Sequence, residues 1–211
     1  MGIRRAVYRN YWASIFRMSK KRVCERVEIG TLLLEREARE TIEEKVSAAL
    51  ILLALHDCRQ LARLRARVVG IFVFGSTQWE LGSWDREARL IKLKESYVMD
   101  ASVEPLAIAA MIVHETTHAW LEYLGFKYES ARRQRIEAIC FRSEAAFARR
   151  VPDGDASAKY YEERAAKILV ESPETWSDTA FANRAARELR ELGTPKWLVD
   201  WLLRFRNRRV A

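Results

Sequence analysis

Residues 105–125 read PLAIAAMIVHETTHAWLEYLG, and the rest of the chain is best read outward from them. The apolar run from Ala107 to Val113 leads into His114, Glu115, Thr116, Thr117 and His118, and Ala119, Trp120 and Leu121 follow. Upstream, Asp100 to Pro105 supplies polar capping candidates, then Glu104 and Pro105 for a first turn; downstream, Gly125 supplies a C′ residue. The stretch predicts a helix running to Leu124. Residues four apart on a helix share a face, one turn above the other. His114 and His118 can therefore present two imidazole nitrogens to one metal ion, with Glu115 leaning over the place where a water on that ion would sit. That is the mechanical content of H-E-x-x-H: two zinc ligands and a general base on one rigid element. The apolar flanks put the motif on a buried face, where a dry metal site has to be.

A catalytic zinc takes three protein ligands and keeps a fourth position open. The only other histidine, His56, precedes the motif and reads as a structural residue of an earlier helix, so the third ligand has to be a carboxylate or Cys140. Residues 135–144, RIEAICFRSE, offer Glu137, Cys140 and Glu144, and Glu129 lies just before them. Glu137 comes 19 residues after His118. That is enough for the first helix to end, the chain to turn and a second helix to pass the metal. Ala138 beside it is small and permits close approach.

His114-Glu115-Thr116-Thr117-His118 followed by Glu137 resembles the gluzincin class of zinc metallopeptidases in its thermolysin-like spacing. The resemblance covers roughly residues 68–150. It implies a zincin-like fold, one Zn²⁺ ion held by His114, His118 and Glu137, and Glu115 as the catalytic base. It also implies peptide-bond hydrolysis by a zinc-bound water that Glu115 activates, with a peptide or protein as substrate. Many such enzymes carry an Asp four residues after the ligand Glu to orient a zinc histidine, and here that position is Phe141. Glu144 therefore stays open as a third ligand beside Glu137, as do Glu129 and Cys140. By elimination, Tyr160 or Tyr161 is the candidate donor to the developing oxyanion.

Around the motif, residues 35–65 read as one long helix or two joined near Asp57, acidic at the start and basic at the end as the helix dipole favours. Residues 68–74 and 89–95 read as strands. In the second, Ile91 and Leu93 alternate with Lys92 and Lys94, which predicts one buried face and one wet face, and an edge to which an extended peptide could add. Further helices are expected over 130–150, 155–170, 175–192 and 195–206. The expected fold class is α+β: a predominantly helical zincin-like domain with a small β-sheet preceding the H-E-x-x-H helix. It divides into a basic amphipathic N-terminal arm (1–22), a metallopeptidase core (23–150) and a C-terminal helical extension packed on the core (151–211).

Of 211 residues, 49% are hydrophobic and 31% charged, an ordinary globular balance. The net charge of +8 sits at the ends: residues 1–23 carry seven basic residues and no acid, and four arginines follow Asp200, leaving the body at −3. Nucleic acid, which wants its charge on a face of the body, is not the indicated partner. The arm places Ile3, Val7, Tyr8, Tyr11, Trp12, Ile15 and Phe16 at helical spacing, and its end-of-chain counterpart is Trp197, Leu198, Trp201, Leu202 and Phe205. Both stripes are expected to fold back onto the core, with an anionic membrane surface or a protein contact as the alternative use. No stretch reads as a secretory signal or a bilayer span, and three cysteines without a C-x-x-C pair fit a reducing compartment; a cytoplasmic location is expected. The competing readings are a zincin-like domain whose metal is structural or sensing, and a basic-ended helical adaptor.

Overall fold

The computed structural model describes residues 11–32, 35–75, 80–191 and 193–199. Helix α1 occupies residues 11–18. It is followed by β1 (Lys20–Cys24), β2 (Val27–Thr31), α2 (Arg36–His56), α3 (Cys58–Arg67), β3 (Gly70–Phe74), β4 (Gly82–Asp85) and β5 (Leu90–Lys94). Then come α4 (Glu95–Met99), α5 (Pro105–Tyr123), α6 (Ser130–Ala148), α7 (Asp155–Val170), a 3₁₀ turn (Pro173–Trp176) and α8 (Asp178–Glu191). The fold is α+β and mostly helical, as expected. Among the described residues no helix is long and apolar enough to cross a membrane.

The sheet is larger than the two strands legible in the sequence. Its order is β1-β2-β3-β5-β4, with β2, β3 and β5 parallel and the edge strands β1 and β4 antiparallel to their neighbours. Strand β1 (KKRVC) is almost wholly exposed and carries no alternation to read. The turn joining it to β2 uses Glu25 and Arg26 at φ 49° and 59°, a left-handed pair usually marked by Asn or Gly. The helical segment expected over 35–65 is two helices. Asp57 closes α2 and caps α3, its side chain accepting from the Gln60 N–H at 3.0 Å.

Alternation along the strands divides the core. Ile29, Ile71, Val73, Ile91 and Leu93 face α2 and α5 in the main cluster, while Phe72 and Leu90 face Phe16, Trp12 and Ile15 of α1 on the other side. The aromatic stripe of residues 11–18 therefore covers the sheet; its continuation before residue 11 lies outside the described residues. Phe16 comes so close that a Cβ at Gly30 would sit 2.6 Å from its ring and one at Gly70 only 2.4 Å, so both strands need glycine there. Of the C-terminal stripe, Trp197 is exposed and residues 201–205 lie outside the described residues.

Two expectations about the 89–95 strand are corrected. Its lysine face is not wet, because α1 covers it. Lys92 is only 8% exposed, lies 2.7 Å from Asp85 and sits 4.3 Å from the Trp12 ring centroid. Nor is this strand an edge: β5 lies between β3 and β4, and the edge on that side of the sheet is β4. The Lys92–Asp85 pair is buried on both sides, and removing one partner of such a pair typically costs ~3–5 kcal/mol. Asp85→Asn keeps an acceptor for the Glu87 and Ala88 N–H groups and removes the charge. It should lower unfolding stability by about 3 kcal/mol, and adding Lys92→Met should restore most of it. A urea midpoint unmoved by Asp85→Asn would show that the pair contributes little.

Candidate metal centre

Helix α5 is built as the sequence requires. Pro105 opens it behind Glu104, and it closes in a Schellman motif: Gly125 at φ 89°, its N–H on the Glu122 carbonyl and the Phe126 N–H on the Leu121 carbonyl, both 2.9 Å. Ile108, Ala109, Ala110, Ile112 and Val113 are fully buried, so the helix is fixed against the core before the motif begins. The chain then turns through 125–129 and returns as α6, packed along α5. On α6, Glu137, Cys140, Phe141 and Glu144 share one face by their 3- and 4-residue spacing.

The two faces meet at the histidines. Glu137 bridges them: its Oε2 is 3.2 Å from His114 Nε2 and its Oε1 is 3.4 Å from His118 Nε2. Glu144, two turns further along α6, pairs with the opposite nitrogen of the same ring, His114 Nδ1. Phe141 packs edge-on to His114 with centroids 5.0 Å apart. Tyr128, from the α5–α6 connection, donates its hydroxyl proton to Glu137 Oε1 and sets its ring edge-on to His118. Glu115 is 4% exposed, and the backbone of Trp84 in β4 hydrogen-bonds its carboxylate. Glu129 lines the same cavity.

A metal ion could be held here. His114, His118 and Cys140 have ligand atoms within 4.8 Å of one another. Glu137 also approaches both imidazoles, at 3.2 and 3.4 Å. Burial pushes the Cys140 thiol well up, and the neighbouring Glu137, Glu115 and Glu144 charges add to the effect. The carboxylates are arranged differently. Burial raises Glu115 and Glu144, more than the imidazoles oppose. Burial would raise Glu137 too, but His118 and His114 outweigh it and hold it well below its ordinary range. Burial alone would lower His114; the Glu144 and Glu137 charges and hydrogen bonds carry it well up instead. Two buried carboxylates, Glu115 and Glu144, and the part-buried Glu137 beside two imidazoles make a site whose charge a divalent cation would balance.

The chain matches no family model, no curated protein and no solved structure. The reading of the site therefore rests on its own geometry. A cavity of about 820 Å³ reaches His114, Glu115, His118 and Glu137, walled by β4, the α5–α6 connection, α6, α7 and the 3₁₀ turn. Neither Tyr160 nor Tyr161 lines it: Tyr160 is 56% exposed and Tyr161 packs against the main core. Tyr128 does line it, and sequence reasoning missed it because nothing marks a tyrosine in a connecting loop as functional. The partnership of Glu144 with His114 was legible in principle, since positions 137 and 144 lie seven apart and so on one helical face.

Proposed function

We propose that this chain is a zinc-dependent hydrolase of peptide bonds with a zincin-like site, His114, His118 and Glu137 being the ligands and Glu115 the general base. The observation that carries the reading is the convergence of both Nε2 atoms on Glu137, with Glu115 buried beside them at the floor of a cavity. When bound, zinc would polarise the scissile carbonyl and lower the pKa of a water molecule toward neutrality. Glu144 accepts from His114 Nδ1–H, which leaves Nε2 as the ligand nitrogen and fixes the ring, the job that Phe141 cannot do. Glu115, whose pKa burial has raised, takes the proton of the attacking water and returns it to the leaving amine. Tyr128 donates its hydroxyl proton to Glu137 Oε1 and so orients that carboxylate toward the imidazoles. The outer edge of β4, which lines the cavity at Gly82 and Ser83, offers backbone groups to an extended peptide. Free Cys24, Cys58 and Cys140 suit a cytoplasmic setting.

Proximity of Cys140 favours a second reading, a closed His₂-Glu-Cys site whose metal is structural or sensing. Paired substitutions separate the two. On the hydrolase reading, Glu137→Gln weakens zinc binding by more than the ~10–100-fold typical of losing an outer partner, whereas Cys140→Ala leaves affinity and peptide turnover nearly unchanged. Loss of zinc in Cys140→Ala, in a chelator competition assay, would hand the site to the second reading. Turnover itself is tested by chelator removal and zinc readdition against a peptide library; no zinc-dependent cleavage of any member would count against a peptidase.

A further inference from the structure

Helix α7 brings a cation to the cavity that the proposed chemistry does not use. Arg164 lines the wall, and Ile168, one turn later, lines it too. The guanidinium stacks over the Phe141 ring, 5.4 Å from its centroid, and the other contact of that ring is His114 at 5.0 Å. Laid end to end, the two contacts bound the distance from the guanidinium to the His114 ring at about 10 Å. Arg164 Nε is buried and has no hydrogen-bond partner among the described residues. A buried donor without a partner costs free energy and asks for an explanation. The other arginine of the described wall, Arg86, is already paired with Glu122, and Arg133 nearby is committed to the Trp176 carbonyl and Asp178.

Resting on the hydrolase reading, we propose that Arg164 is the specificity residue of the site and binds a substrate carboxylate about one residue from the scissile bond, so that the preferred substrates are peptides with a free C-terminal carboxylate there. A guanidinium is a rigid fork of donors matched to a carboxylate, and the ring of Phe141 holds its plane. One extended residue spans ~3.3–3.6 Å, so a carbonyl near the histidines and the carboxylate of the next residue both fit within the bound. Ile168 and Phe141 line the cavity with Arg164 and suit an apolar side chain on that terminal residue. An acidic side chain at the same position carries the same chemistry, and the test distinguishes the two sources.

The test is binding rather than turnover, so that it stands apart from the hydrolase reading, which zinc content and cleavage by the wild type decide separately. Zinc-loaded Glu115→Gln protein is titrated calorimetrically with N-acetyl-alanyl-leucine, with its C-terminal amide, and with N-acetyl-alanyl-glutamic acid amide. The acid should bind about ten- to a hundredfold tighter than the amide, as for a hydrogen bond to a charged group. Adding Arg164→Met should abolish that preference with the amide affinity unchanged. Arg164→Lys, which keeps the charge and loses the fork, should give an intermediate preference and serves if the Met variant does not fold. Equal binding of the glutamic acid amide would keep the carboxylate role and move its source to a side chain. Equal affinity for acid and amide, no binding of either, or a preference that survives Arg164→Met would overturn the assignment.

Discussion

Glu115→Gln is expected to keep its zinc and to lose peptide hydrolysis by at least ~10²-fold, and by ~10⁴-fold if base catalysis is fully expressed. Two adjacent residues on one helix do different jobs here. His114 turns an imidazole toward Glu137 and His118, whereas Glu115 reaches toward β4, where the Trp84 backbone holds it. The amide has nearly the same shape and keeps an oxygen for that backbone contact, so folding and the ligand set should survive. What it cannot do is accept a proton. Burial raises the Glu115 pKa, which makes the carboxylate a stronger base than an exposed one. The check is single-turnover cleavage of a responsive peptide alongside metal analysis of the same sample. Full turnover in the variant would remove Glu115 from the mechanism; loss of zinc would make it a ligand instead.

Zinc should raise the melting temperature on the order of 10 °C when present at ~1,000 times its dissociation constant, since that excess contributes ~4 kcal/mol and each kcal/mol moves a chain of this size by ~2–4 °C. The increment should also grow with pH. In the metal-free protein, Glu115 and Glu144 have folded pKa values raised above their ordinary 4.5, so they hold protons that the unfolded chain releases. Their burial therefore costs more as pH rises above 4.5 through their folded values. His114, raised above its ordinary 6.5, contributes stability that is complete below 6.5 and is lost as pH rises through its folded value. Glu137, held low, contributes stability above 4.5 that is lost only when pH falls through its folded value. From pH 5 to 8 the metal-free cluster thus loses stability. Zinc needs neutral imidazoles and ionised carboxylates, the state that rising pH favours. The difference in melting temperature between zinc-loaded and chelator-treated protein should accordingly widen across that range. A difference independent of pH would mean that no proton leaves the cluster when metal binds.

Much of this fold could be read from the sequence because its helices carry local punctuation. Pro105 and Gly125 bracket α5, Asp57 separates α2 from α3, and Pro152 with Gly154 precedes α7. Strands β1, β2 and β4 carry none. The first is charged and at an edge, its turn uses Glu25 and Arg26, and β4 is four residues with glycine at one end. Pairing with distant strands, not local preference, makes them strands. Lys92 misled for a related reason. A lysine in an alternating strand reads as solvent-facing until a second layer, here α1, is known to cover it. At the site, the motif gave His114, Glu115 and His118 by spacing alone. Tyr128 and Arg164 depend on how the α5–α6 connection and α7 come back over the motif, which is tertiary information.

The zinc content of the purified protein tests the central claim most directly, measured for the wild type and for His114→Ala after matched dialysis. About one zinc per chain is expected in the wild type and a large loss in the variant, with both proteins folded by circular dichroism. A wild type that binds no zinc even when reloaded, or a variant that binds it as well as the wild type, would contradict the claim.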